Sequence, residues 1–138
     1  MGGTSGALYA IYLTGLVQGL LKSTQNNGEA ATVKHWASAA NHAFQSLGKY
    51  TPARPGDRTL VDALEPFCRT LASEAESGKS AKEALKAAVD ASKEGAEKTR
   101  DMTARLGRAT YVGETSEKVP DPGAWGIWAL VEGIYKVL

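Results

Sequence analysis

The chain has one cysteine, Cys68, in 138 residues, which excludes an intramolecular disulfide. It has no CxxC, no HExxH and no Cys/His cluster, so no metal site is expected. Its two histidines, His35 and His42, fall on one side of a helix but about 10 Å apart along its axis, too far to share an ion within that helix. Charge of one sign is also lacking. Sixteen Lys and Arg face 15 Asp and Glu, for a net charge of +1, and no basic stripe forms, which speaks against a nucleic-acid partner. The first residues lack the basic, apolar and small-residue layout of a signal peptide. The longest apolar stretch, around Ala124 to Val131, falls short of the roughly 20 residues a bilayer requires, so no membrane span is expected. A reduced, cytoplasmic setting follows as the default. No segment alternates at period two for long enough to be a strand.

What is present is helical periodicity. Hydrophobic residues make up 43% of the chain, enough for one core, and residues 1–138 read as a single domain. From Ala7 to Leu21, the residues Leu8, Tyr12, Leu16 and Leu20 recur at helical steps with Ile11, Leu13 and Val17 beside them. That pattern predicts a helix buried over much of its girth. The polar run Ser23 to Gly28 breaks it, and Val33, Trp36, Ala40, Phe44 and Leu47 mark a second helix ending near Gly48. Beyond the proline-stiffened loop Thr51 to Asp57, Leu60, Leu64, Phe67, Leu71 and Ala75 mark a third, which Pro66 should bend. Ser80 and Glu83 have the spacing of a capping box. They open a fourth helix with Leu85, Val89, Ser92, Ala96, Thr99 and Met102 on one face and Gly107 as its stop. In the last helix Asp121 is the N-cap, Pro122 takes the first position, and Ile127, Leu130, Val131, Ile134 and Leu138 face inward. The expected class is all-α, an antiparallel bundle of about five helices.

Four segments could carry chemistry. Gly2 to Gly6 precede the first helix, where free N–H groups and the Thr4 and Ser5 hydroxyls either cradle a phosphate or simply cap the helix. Pro55 to Thr59 offers either a second phosphate-facing turn or an Asp57 or Thr59 cap with Arg58 in solvent. Arg108, after a helix end, either relieves the helix dipole or reaches a transferring phosphoryl group. Asp121-Pro122-Gly123 is by itself a helix-start signature. Ser77-Gly78-Lys79-Ser80 ends like a P-loop, but Ser73 stands where the motif needs glycine and no strand precedes it, so it is set aside.

Taken together, MGGTSGALY, PGDRTLVDAL, GRATYVGE and PDPGA, in this order and spacing, closely resemble the C-terminal, ATP-binding domain of dihydroxyacetone (glycerone) kinases and triokinases, in the style of the fungal single-chain enzymes. The resemblance covers essentially the whole chain. It implies a barrel of eight antiparallel helices, of which about five would be a partial version, with ATP and magnesium at one end and an apolar interior able to hold lipid. It implies that Thr4, Ser5 and Gly6 in the GGTSG turn meet nucleotide phosphates, that Thr59 and Leu60 help form the nucleotide pocket, and that Asp121, Pro122 and Gly123 close it. Thr51 matches a further nucleotide contact, and Arg108 is the candidate phosphate-facing cation.

Relatives also carry, upstream of the GGTSG turn, an aspartate-rich loop that holds magnesium, and a separate substrate domain with a histidine that binds the ketone covalently. Neither has a counterpart in this sequence. The chain therefore reads as an N-terminally truncated domain with no catalytic residue and no metal ligands of its own, weak nucleotide affinity, and no kinase turnover in isolation. Its expected role is as part of a kinase that phosphorylates dihydroxyacetone or glyceraldehyde with ATP. The FMN cyclase activity of some relatives is neither supported nor excluded. The alternative is a non-catalytic helical interaction or lipid-binding module that keeps only the fold. Loss of neighbouring helices should uncover the Leu8 to Leu21 helix, implying a homo-oligomer or a docked N-terminal segment.

Overall fold

Five α-helices follow one another in the computed structural model, which describes residues 3–24, 30–106, 110 and 118–138 and has no strand among them. They are α1 (Gly3–Thr24), α2 (Val33–Leu47), α3 (Val61–Glu76), α4 (Ala81–Lys98) and α5 (Pro122–Val137). The all-α class and the helix number are those the periodicity predicts. By internal packing the chain divides into two units, Met1–Pro52 with Cys68–Ala87, and Ala53–Phe67 with Ala88–Leu138.

In the first unit α1 packs along α2 through a glycine–alanine seam. A Cβ placed on Gly15 would stand 2.9 Å from Ala43 Cα, and one on Gly19 2.7 Å from Ala39 Cα. The backbones approach this closely only because both glycines lack a side chain. Ala37, Ala39, Ala40, Ala43 and Leu47 form the buried stripe of α2. That helix starts with a capping box: Thr32 Oγ1 accepts from the His35 N–H at 3.4 Å, while His35 Nδ1 accepts from the Thr32 N–H at 3.2 Å. The expected capping box of α4 is present too, with the Ser80 N–H on Glu83 Oε2 at 3.1 Å and the Glu83 N–H on Ser80 Oγ at 3.3 Å. The Ser80 hydroxyl, donating to Glu83 Oε2 at 2.7 Å, and then the Ser80 N–H hold the Glu83 carboxyl below its ordinary pKa. Cys68 is buried, its thiol directed at the Ala40 carbonyl (3.6 Å) and within 3.4 Å of Tyr12 Oη. Burial, and then Cys68, push the Tyr12 phenol far above its usual pKa.

One expectation for α1 is corrected. It is not buried over most of its girth: Gly15 and Gly19 are its buried residues, while Leu13, Val17 and Leu21 are 52%, 56% and 55% exposed. Periodicity records which residues are apolar, not how many neighbours the helix has. By length and composition α1 could cross a bilayer, because Thr14, Gln18 and its glycines interrupt the apolar run without adding charge. The core helix of a soluble protein passes the same test.

In the second unit the later part of α4 buries Val89, Ser92, Ala96 and Thr99, as the spacing predicts. The helix stops earlier than expected, at Lys98, and runs into a 3-10 turn, Thr99–Asp101, rather than reaching Gly107. Within that turn the Thr99 hydroxyl donates to the Ala96 carbonyl at 2.6 Å, closing the chain on itself. Pro66 lies inside α3 and has no N–H to offer the Asp62 carbonyl one turn back. Gly95 packs against that carbonyl so closely that a Cβ there would collide with it. On α5, Ala124, Ile127 and Val131 are buried, but Leu130, Ile134 and Leu138 are exposed, contrary to expectation. The inward stripe is narrower than the apolar pattern because the helix meets neighbours on one face only.

Candidate functional site

The second unit gathers several of the expected residues around Asp62, an acid of the PGDRTLVDAL segment that carries no assigned role in the sequence reading. Its side chain is buried, 6% exposed. Oδ1 accepts from the Gly56 N–H at 2.5 Å and Oδ2 from the Thr59 N–H at 2.8 Å, so one carboxylate folds the whole turn before α3. Gly56 sits at φ +96°, a conformation open to a residue without Cβ. Asp57 closes the preceding turn: its Oδ2 accepts from the Arg54 N–H at 2.8 Å. The Arg105 N–H donates to the Asp57 carbonyl at 3.3 Å, and the Arg105 guanidinium lies 3.7 Å from Asp57 Oδ1. Thr59 Oγ1 accepts from the Val61 N–H at 3.2 Å. Both caps that the sequence left open are therefore made, each for a different turn.

The start of α5 meets this turn. Asp121 is its N-cap, Oδ2 accepting from the Ala124 N–H at 2.8 Å, with Pro122 as the first helical residue. The Asp121 N–H donates to Thr99 Oγ1 at 2.7 Å, so Thr99 ties α5 to the end of α4. A Cβ on Gly123 would lie 2.9 Å from Asp121 Oδ2 and 3.5 Å from Leu60 Cβ. The start of α5 thus lies against Leu60, and the missing side chain matters at the cap itself, where a Cβ would crowd the Asp121 carboxylate. Burial raises the Asp121 pKa; the Ala124 and Gly123 amides and the Arg58 charge oppose that rise, and Asp62 adds to it. Arg58 does not lie loose in solvent. Its Nη2 donates to the Val119 carbonyl at 2.9 Å, from a backbone at φ +59°.

Thr59, Leu60, Asp121, Pro122 and Gly123 are thus brought together across sixty residues of sequence. Thr4, Ser5 and Gly6 belong to the first unit, where α1 is helical from Gly3. Gly3 to Gly6 of the GGTSG run are accordingly the first turn of the helix, rather than a turn in front of a helix starting at Ala7. Thr4 and Ser5 are exposed there, at the end where the first N–H groups have no intrahelical acceptor and the dipole favours an anion. Thr51 lies half-buried in the loop after α2. Arg108 and most of the GRATYVGE segment fall outside the described residues. The P-loop look-alike is a helix end: Gly78 at φ +77° terminates α3, with the Lys79 N–H on the Glu74 carbonyl at 3.4 Å and the Lys79 ammonium paired with the Glu74 carboxylate.

Among the described residues no group of three His, Cys, Asp or Glu side chains could hold a metal ion. Asp62 and Asp121, the two neighbouring carboxylates, are already committed to backbone amides. These residues do not fit a magnesium ion.

A family model described as the DAK2 domain matches residues 1–136. Dihydroxyacetone kinase 2 of Saccharomyces cerevisiae is 47% identical over 96% of this chain, which spans 22% of the yeast protein. Human triokinase/FMN cyclase is 35% identical over the whole chain, which spans 23% of it. Among solved structures, the dihydroxyacetone kinase of C. freundii superposes with a TM-score of 0.67 at 26% identity, covering all of this chain and 21% of the bacterial one. The chain therefore spans about a fifth of the length of the relatives it matches.

Proposed function

Because the chain belongs to the DAK2 domain family, we propose that it is the ATP-binding part of a kinase that phosphorylates dihydroxyacetone or glyceraldehyde. The observation that carries this reading is the meeting of PGDRTLVDAL and PDPGA, with Gly123 seated over Leu60. Two segments far apart in sequence, both expected at the nucleotide, converge within one packing unit. In that unit Thr59, Leu60, Asp121, Pro122 and Gly123 are assigned to the nucleotide pocket. In the first unit Thr4, Ser5 and Gly6 are assigned to phosphate oxygens through the first-turn N–H groups, with Thr51 as a further contact, and Arg108 is retained as the phosphate-facing cation. The setting is cytoplasmic.

Phosphoryl transfer depends on positioning and on neutralisation of the triphosphate by metal ions. With a donor set that does not fit magnesium, these 138 residues bind nucleotide weakly and give no turnover alone. Calorimetric titration with Mg-ATP tests the first point, and incubation with ATP, magnesium and dihydroxyacetone tests the second. Turnover comparable to a complete dihydroxyacetone kinase would sink the reading of the chain as inactive by itself, and an absence of any heat or chemical shift change with Mg-ATP would sink the nucleotide assignment.

The exposed Leu13, Val17 and Leu21 of α1 favour a second reading, in which the fold serves as an apolar docking module for lipid, for another segment of a longer chain or for a second copy. It predicts association without nucleotide dependence.

A further inference from the structure

We propose that Arg58 is a positioning residue that locks the Thr59–Leu60 turn to the start of α5, so that the two sides of the second unit's nucleotide-contacting cluster move as one body; this rests on the nucleotide reading above. Three observations converge on it. Arg58 holds φ +59°, a left-handed backbone that costs a residue with a Cβ about 1 kcal/mol. Among described residues other than glycine it is the one with positive φ. A glycine would take this conformation without strain, so the arginine side chain has to supply something in return. What it supplies is a long-range anchor: Nη2 donates to the Val119 carbonyl, two residues before Asp121, at 2.9 Å. The guanidinium charge also acts on the Asp121 carboxylate. Its Nε is buried with no hydrogen-bond partner, so the side chain is held in place without full satisfaction, as happens where geometry is set for something other than stability.

The anchor has a mirror on the other side of the turn. Asp62 fixes the Gly56 and Thr59 amides from beneath, and Gly123 sits on Leu60. Asp62 positions the turn relative to α3, whereas Arg58 positions it relative to α5. Removing Arg58 leaves the turn folded but uncouples it from the Asp121–Ala124 cap.

The test compares the 138-residue chain with its R58G variant by NMR, using ADP as the titrant and amide hydrogen exchange as a second readout. R58G is expected to melt at the same temperature as the parent or higher, because strain is relieved. Its ADP affinity should nonetheless fall about tenfold, the scale of one lost charge-assisted hydrogen bond, and the Asp121 and Ala124 amides should exchange several-fold faster. A purely structural arginine would instead lower melting temperature and affinity together, which overturns the proposal, as does unchanged affinity. If the parent chain binds no ADP, the nucleotide reading fails, and the exchange rates decide the coupling: unchanged rates at Asp121 and Ala124 refute it.

Discussion

Asp62 shows how much of this site turns on one side chain. Its two oxygens accept from the Gly56 and Thr59 amides of one turn, and Asp62→Ala should cost about 1–3 kcal/mol, the usual penalty for amides left unsatisfied on partial burial, seen as a lower urea midpoint. Asp121 makes a different prediction, because its pKa is raised in the folded protein. The native state then holds the proton more tightly than the unfolded chain between the ordinary and the folded pKa. Stability contributed by this group is largest at the acid end and declines as pH rises through that window. Glu83, whose pKa is lowered, has the opposite sign: its contribution is present above the ordinary glutamate pKa and is lost as pH falls through the folded value. The unfolding free energy of the parent minus that of Asp121→Asn should therefore fall as pH rises through that window; a parent-minus-variant difference that grows with pH would contradict the raised pKa. Both caps were legible in the sequence, since Asp-Pro and Ser-x-x-Glu are local signals. Asp62 was not, because an acid in the first turn of a helix looks like ordinary dipole compensation until its partners are known.

At the scale of elements, α1 and α2 are joined by absence of side chain. Gly15→Ala and Gly19→Ala add up to about 1 kcal/mol of helix propensity each, but each new methyl would sit within 3 Å of backbone on α2. Overpacking of that kind typically costs about 1–3 kcal/mol. The net expectation is a lower melting temperature for both variants, with Gly19→Ala the worse, since it meets Ala39 Cα more closely. Thr32→Ala should cost about 1 kcal/mol through the lost N-cap of α2, measurable by the same denaturation. The seam was hidden in the sequence because glycines inside an apolar helical pattern read as weak points rather than contacts. The Thr32 cap was hidden because its reciprocal partner is a histidine, where the familiar spacing has Glu or Gln.

For the molecule as a whole, the exposed ridge of Leu13, Val17 and Leu21 predicts self-association. Light scattering should give a mass above the 14.5 kDa of one chain, and a charged substitution such as Val17→Lys should return it toward the monomer. A monodisperse parent that also fails to bind a hydrophobic dye would remove the case for an apolar partner. The helices, most of their caps and the family resemblance could be read directly from residue order, because periodicity, cap spacing and short motifs are local properties of the chain. Which faces are covered, where α4 ends, and which acid organises the turn before α3 could not be read that way. Each depends on residues tens of positions apart: Thr99 receiving the Asp121 amide, Gly95 meeting the Asp62 carbonyl, Gly123 over Leu60 and Arg58 on Val119. Burial and hydrogen-bond partnership are properties of neighbours in space, and only folding supplies those neighbours.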